Sequence, residues 1–136
     1  MQTISTQAAL VYVMVIVSAA DGAMNDEELR AIGDLSRGLP AFKGFDPDKL
    51  IETARDCSAI LQERDGLSAA LGLIEEALPP ALRETAYWLA LEVALCDREV
   101  RPEEVRIVET LRRALGIDKL TAAALERAAE ARFRVS

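Results

Sequence analysis

The chain alternates between segments that are apolar on nearly every side and segments that are apolar on one face only. Residues 8–20 are apolar except for Tyr12 and Ser18, and residues 80–95 show nearly the same pattern. Amphipathic segments at helical spacing follow each of them, at residues 29–35 and 105–111. A helix that is apolar all round is typical of the centre of a bundle. The pattern therefore predicts two central helices surrounded by amphipathic ones.

The whole chain is predicted to be all-α, with about seven helices. Strong helix formers dominate, and no stretch sustains the alternation of β-branched residues that strands require. Asn25 or Asp26 is a favourable N-cap, and Gly38 and Gly116 are expected C-terminal stops. The predicted helices cover residues 6–20, 26–38, 46–64, 67–78, 80–95, 102–116 and 118–132.

An internal repeat organises these helices. One motif begins at Asp21 and recurs at Asp97: an aspartate closes an apolar helix, and a pair of glutamates opens the amphipathic helix that follows. We expect two three-helix repeats, at about 6–64 and 80–132, related by a pseudo-twofold axis. An extra short helix joins them, within a single domain that spans residues 1–136.

Duplicated units tend to pack against each other, so like positions of the two motifs are expected to meet. Those positions carry carboxylates, which suit a hard cation such as Ca²⁺, Mg²⁺ or Mn²⁺. An ordinary EF-hand is excluded because apolar Val17 and Val93 stand where its first ligands would lie. Each loop is thus half a site at best. The candidate metal ligands are Asp21, Glu27, Glu28, Asp97, Glu103 and Glu104.

The same acidic residues also admit a purely structural interpretation. Glu28 stands three residues after Asn25 and suits the N3 position of a capping box. Glutamates favour any helix N-terminus through the helix dipole, and the two aspartates can accept hydrogen bonds from turn amides. From the residues alone, a divalent-cation site and a pair of helix caps both remain open.

Composition excludes several other functions. Sixteen basic against 23 acidic residues give a net charge of −7, and no basic stripe is present, so nucleic acid is not an expected partner. The chain has no histidine, which excludes histidine-activated nucleophiles and histidine general bases. Cys57 and Cys96 lack CxxC spacing and are interpreted as free thiols that behave as small apolar side chains. We therefore expect a non-catalytic protein.

The apolar segment 8–20 is not expected to span or cross a membrane. It is shorter than the roughly 20 residues that a bilayer requires, and no basic side chain precedes it as a signal peptide would require. With free cysteines in addition, the expected compartment is the cytoplasm. The sequence is compatible with both a monomer and a homodimer.

The repeated pattern Ala-Ala-Asp-Gly-x-Met-x-x-Glu-Glu-Leu resembles the TerB-like tellurite-resistance family, whose fold also covers the N-terminal domain of the co-chaperone DjlA. The resemblance extends from about Ala8 to Gly116. It implies an all-helical cytoplasmic protein of a bacterial stress response, without established enzymatic activity, that acts with protein partners, often membrane-bound ones. It also implies a metal site at Asp21 and Glu28 and at Asp97 and Glu104. The second copy departs from the pattern at Arg98, where the first has glycine.

Overall fold

The computed structural model describes residues 3–20, 22, 24–97 and 100–135. Within this part of the chain the protein is all-α, with seven α-helices and no strand, as predicted. The helices are α1 (Thr6–Ala19), α2 (Asp26–Gly38), α3 (Leu50–Leu61), α4 (Gly66–Ala77), α5 (Arg83–Leu95), α6 (Pro102–Leu115) and α7 (Lys119–Arg132). Single 3₁₀ turns lie at Pro40–Phe42, Pro47–Lys49 and Pro80–Leu82.

The two apolar helices form the centre of the bundle. α1 and α5 pack directly against each other, and every α1 residue from Ala9 to Ser18 is buried. α3 and α4 cover α1, whereas α6 and α7 cover α5. Burial of Tyr12, Ile16, Leu89 and Val93, which the sequence pattern predicts, is confirmed. The amphipathic helices thus surround an apolar pair because only that arrangement removes both all-apolar helices from water.

Two predicted helix starts are delayed by a 3₁₀ turn. The predicted third helix starts at Asp46, but Asp46 accepts a hydrogen bond from the amide of Asp48, and a 3₁₀ turn precedes α3. A 3₁₀ turn likewise starts at Pro80, ahead of α5. Both turns begin at a proline, whose fixed φ suits the first helical position but does not select between the two helix types.

The expected glycine stop of α2 is wrong in detail. Gly38 is the last helical residue and does not adopt the left-handed conformation, whereas Gly116 does so after α6 with a φ of 70°. Leu39 leaves α2 in an extended conformation instead. Pro40 explains the difference, since a residue that precedes proline is driven out of the helical region.

The pseudo-twofold relation between the two repeats stays a prediction. It requires that residues 8–64 and 84–132 superpose as three-helix units. What the structure provides is the arrangement that brings the ends of the central helices together: α1 and α5 are neighbours, α2 contacts α5, and α6 contacts α1. Each motif helix therefore touches the central helix of the other half, and this places the two acidic loops at a common end of the bundle.

Candidate metal centre at the two acidic loops

The two acidic loops, which we define as residues 20–28 and 96–104, follow each central helix and include the first turn of the amphipathic helix after it. The first leads into α2, and the second leads into α6. Asp21, one of the candidate ligands, lies outside the described residues, and so does Arg98. The geometry of the site is therefore described by Asn25 and Glu28 from the first loop and by Asp97, Arg101 and Glu104 from the second.

In the first loop, Asn25 and Glu28 form a complete capping box. The Asn25 side-chain oxygen accepts a hydrogen bond from the Glu28 amide at 2.8 Å, and Glu28 Oε1 accepts one from the Asn25 amide at 3.0 Å. Glu28 is fully buried, with 0% of its surface exposed. The helix-cap interpretation of Glu28 is confirmed, and it accounts for one of the two oxygens of a buried carboxylate.

Glu104 occupies the corresponding place in the second loop. Its Oε1 accepts a hydrogen bond from the Arg101 amide at 3.2 Å, and it is also fully buried. A guanidinium has no acceptor atom, so the Arg101 side chain cannot accept a hydrogen bond from the Glu104 amide as the Asn25 side chain does from the Glu28 amide. The Glu104 amide donates to the Arg101 carbonyl at 3.0 Å instead. Both motifs thus bury the second glutamate of the pair against the first turn of its own helix.

Asp97 joins the two loops. Its Oδ2 accepts a hydrogen bond from Asn25 Nδ2 at 3.2 Å, a contact between residues from opposite halves of the chain. Arg101 Nη1 lies 3.6 Å from Asp97 Oδ2 and 3.6 Å from Glu104 Oε1. One guanidinium therefore stands between two candidate ligands and supplies a positive charge inside the cluster.

The thiol of Cys96 lies close enough to carboxylates of both acidic loops for their charges to affect its pKa. Burial raises its pKa to about 12, and the negative charges of Asp97, Glu28, Glu27 and Glu104 contribute to the rise. Carboxylates from both loops therefore act on one sulfur atom. The thiol stays protonated at neutral pH, which makes it a poor nucleophile.

The first glutamate of each pair lies further out. Glu27 and Glu103 are both exposed, and Glu103 Oε1 lies 3.8 Å from Arg106 Nη2. Glu27 lines a cavity of about 590 Å³ together with Arg30, Cys96 and Arg132. Neither residue is buried as Glu28 and Glu104 are, because the helical turn directs adjacent positions to different faces.

The described residues do not complete a metal site by themselves. Among residues 3–20, 22, 24–97 and 100–135, no three acidic or cysteine side chains form a group that could hold a metal ion. What they provide is two buried glutamates and a bridging aspartate. Carboxylate oxygens of this kind fit a hard cation, and Asp21 is the remaining ligand that the motif would contribute.

Asn25 and Arg101 belong to the site, although the sequence pattern did not single them out as partners of Asp97. The contacts of Arg101 could have been predicted from the local sequence. Arg101 follows Asp97 by four residues and precedes Glu104 by three, and side chains at such separations commonly meet. The contact between Asn25 and Asp97 could not have been predicted from the local sequence, because it depends on how the two halves of the chain pack.

A comparison with known protein families gives a match that covers most of the chain. A family model described as "Tellurite resistance protein TerB" matches residues 7–128. The matched range begins in α1, ends in α7 and includes both acidic loops. No curated protein and no solved structure matches the chain significantly.

Proposed function

Because the chain belongs to the TerB family of tellurite-resistance proteins, we propose that it is a non-catalytic module of a bacterial tellurite or stress-resistance system. It acts in the cytoplasm, binds a divalent cation between its two acidic loops, and engages protein partners that include membrane-associated ones. Among the described residues, no helix is long and apolar enough to cross a bilayer.

The observation that carries the cation proposal is the meeting of buried carboxylates from both loops. Glu28 and Glu104 are each fully buried, and Asp97 contacts Asn25 from the opposite half. Three carboxylates gathered at one end of the bundle repel one another, and the Arg101 guanidinium lies 3.6 Å from two of them, Asp97 and Glu104. A divalent cation would lower this repulsion, and the gathering of carboxylates supports cation binding at this end of the bundle.

Asp97, Glu28 and Glu104 are the residues that would hold the ion, with Asp21 as the matching ligand of the first loop. Glu27 and Glu103, which are exposed, would contribute through their charge or through bound water. Oxygen ligands of this number favour Ca²⁺, Mg²⁺ or Mn²⁺ over softer metals. When bound, the ion would tie the start of α2 to the start of α6.

Glutamine substitution at the two buried positions separates charge from capping. Glutamine serves at the N3 position of a capping box as glutamate does, so Glu28→Gln with Glu104→Gln keeps the cap bonds and removes two charges. Under the proposal, Ca²⁺ or Mn²⁺ at 100 times its Kd stabilises the wild type by about 2.7 kcal/mol, and the double variant responds far less. Thermal unfolding with increasing concentrations of each ion measures the difference.

The matched control is Glu75→Gln with Glu76→Gln, which removes two charges from exposed positions on α4. This control should keep the full response to the ion. Without any ion, the Glu28 and Glu104 variant is expected to be at least as stable as wild type, because repulsion among the carboxylates is relieved. An unchanged melting temperature of the wild type through millimolar Ca²⁺, Mg²⁺, Mn²⁺ and Zn²⁺ would contradict cation binding.

The alternative function is a protein-interaction scaffold whose acidic residues act only as helix caps. The capping box of Asn25 and Glu28 and the position of Arg101 favour it. The same titration on Arg101→Gln distinguishes the two. If a cation binds, removal of the guanidinium raises its affinity by roughly tenfold, because a competing charge is gone. If Arg101 is the resident counter-ion of a scaffold, the variant is less stable than wild type and does not respond to cations.

A further inference from the structure

The α6–α7 groove, an open depression where α6 and α7 lie on α5, is apolar along its floor. Its volume is about 470 Å³, and Leu91, Leu95, Val105 and Val108 line it. Val105 is 56% exposed, and Val100, a residue of the second acidic loop that also lines the groove, is 47% exposed. α6 and α7 each pack against α5, which leaves a furrow between them. Exposed apolar side chains within one furrow are typical of a surface that is covered by a partner.

Carboxylates form the rim of this groove. Glu109 stands on the α6 side, and Glu126 and Glu130 stand on the α7 side, while no basic side chain is among the lining residues. Glu109 is already paired with Arg112 at 2.7 Å and with Arg113 at 3.3 Å. The α7 side of the rim therefore keeps more of its negative charge, although the charge of Arg112 also acts on Glu126.

Glu126 and Glu130 are one helical turn apart on α7, so their side chains lie on the same face and repel each other. Glu126 accepts a hydrogen bond of 2.6 Å from the hydroxyl of the buried Tyr87, which fixes it at the groove edge. Among the described residues, no ion pair includes Glu126 or Glu130. A positively charged partner would relieve the repulsion between them.

We infer that the α6–α7 groove docks a short amphipathic helix of a partner protein that has an apolar face and lysine or arginine along its flanks. A furrow between two helices accepts a third helix by its apolar stripe, a common mode of peptide recognition. The acidic rim selects basic flanks through charge complementarity. The inference rests on the proposed engagement of protein partners, and it requires no bound cation.

A designed peptide of about 15 residues, with leucine on one helical face and lysine on the flanks, serves as the probe. Two control peptides accompany it: one carries glutamate in place of lysine, and the other has the same composition in scrambled order. Fluorescence anisotropy of labelled peptide against the intact protein gives the affinities. The basic amphipathic peptide should bind, with an affinity that decreases as salt rises, and both controls should bind at least tenfold more weakly.

Variants of the groove residues test whether the peptide binds in the α6–α7 groove. Glu126→Gln with Glu130→Gln should weaken binding of the basic peptide roughly threefold to tenfold, since two charge pairs at the edge of the groove are lost. Val105→Ser should weaken it as well, while Leu120→Ser, at an 83% exposed position on α7 outside the groove, should not. The control Glu75→Gln with Glu76→Gln removes the same net charge from α4 and should leave the affinity unchanged.

Three results would overturn the inference. One is equal loss of affinity in the groove variants and in the α4 control, which would mean that the peptide binds the acidic surface in general. Another is equal binding of the scrambled peptide. The third is a dimer of the wild type that Val105→Ser dissociates, which would make a second copy of this chain the occupant. Since the cation titration is measured without peptide, failure here leaves the cation proposal intact, and the reverse also holds.

Discussion

Leu89→Ala is expected to lower the free energy of unfolding by about 2–5 kcal/mol. Leu89 lies in the middle of α5 with 0% of its surface exposed, in the layer where α5 packs on α1. Truncation to alanine removes buried methyl groups and leaves a cavity, because the two central helices are held from outside by five others and cannot close the gap. Urea unfolding at constant pH measures the effect.

The control for this variant is Leu120→Ala, at a position on α7 that is 83% exposed. It removes the same atoms from a leucine side chain that lies mostly in solvent, so the free energy of unfolding should change by no more than about 0.5 kcal/mol. Similar small effects at both positions would show that α5 is not the centre of the bundle.

Gly66→Ala is expected to destabilise the fold by roughly 1–3 kcal/mol or more, the range of an overpacked site. A Cβ atom at Gly66 would lie 2.0 Å from the carbonyl oxygen of Ile60 and 2.9 Å from Leu61 Cα. These are backbone atoms of α3, so no side-chain rotation relieves the clash. The α3–α4 corner would have to open, and α4 would move from its position on α1.

Gly72→Ala is the matched control, since it makes the same change within the same helix. No atom lies within 4 Å of a Cβ at Gly72, so alanine there should be neutral or stabilise the protein by up to about 1 kcal/mol through helix propensity. Thermal unfolding of the two variants gives the comparison. Equal melting temperatures for Gly66→Ala and Gly72→Ala would contradict the close approach of α3 and α4.

The central helices were predictable because their pattern has one physical solution. Residues 8–20 and 80–95 are apolar on nearly all sides, and such helices are stable in water only when other helices surround them. The α3–α4 corner was predictable only in part. The pair Asp65 and Gly66 indicated a break, but not that Asp65 adopts a left-handed φ of 58° and that α4 begins at once.

The acidic loops show where sequence reasoning ends. The capping box of Asn25 and Glu28 follows from residues three apart, and the structure confirms it. The hydrogen bond from Asn25 to Asp97 depends on the packing of the two halves, which no local pattern encodes. The environment of Cys96 also depends on this packing. The sequence indicated an apolar environment, yet four carboxylates raise the pKa of the thiol in addition to burial. Ligation by Asp21 stays a prediction.

The cation proposal is tested most directly by a crystal structure of the protein grown with Mn²⁺, with a second crystal grown with Ca²⁺. The expected result is one anomalous peak between the two loops that is coordinated by Asp97 and by carboxylate oxygens of Glu28, Glu104 or Asp21. Ca²⁺ at the same place should show oxygen distances of about 2.3–2.6 Å. Loops without an ion at millimolar Mn²⁺, with Arg101 still in contact with Asp97 and Glu104, would contradict the proposal and leave the acidic residues as helix caps.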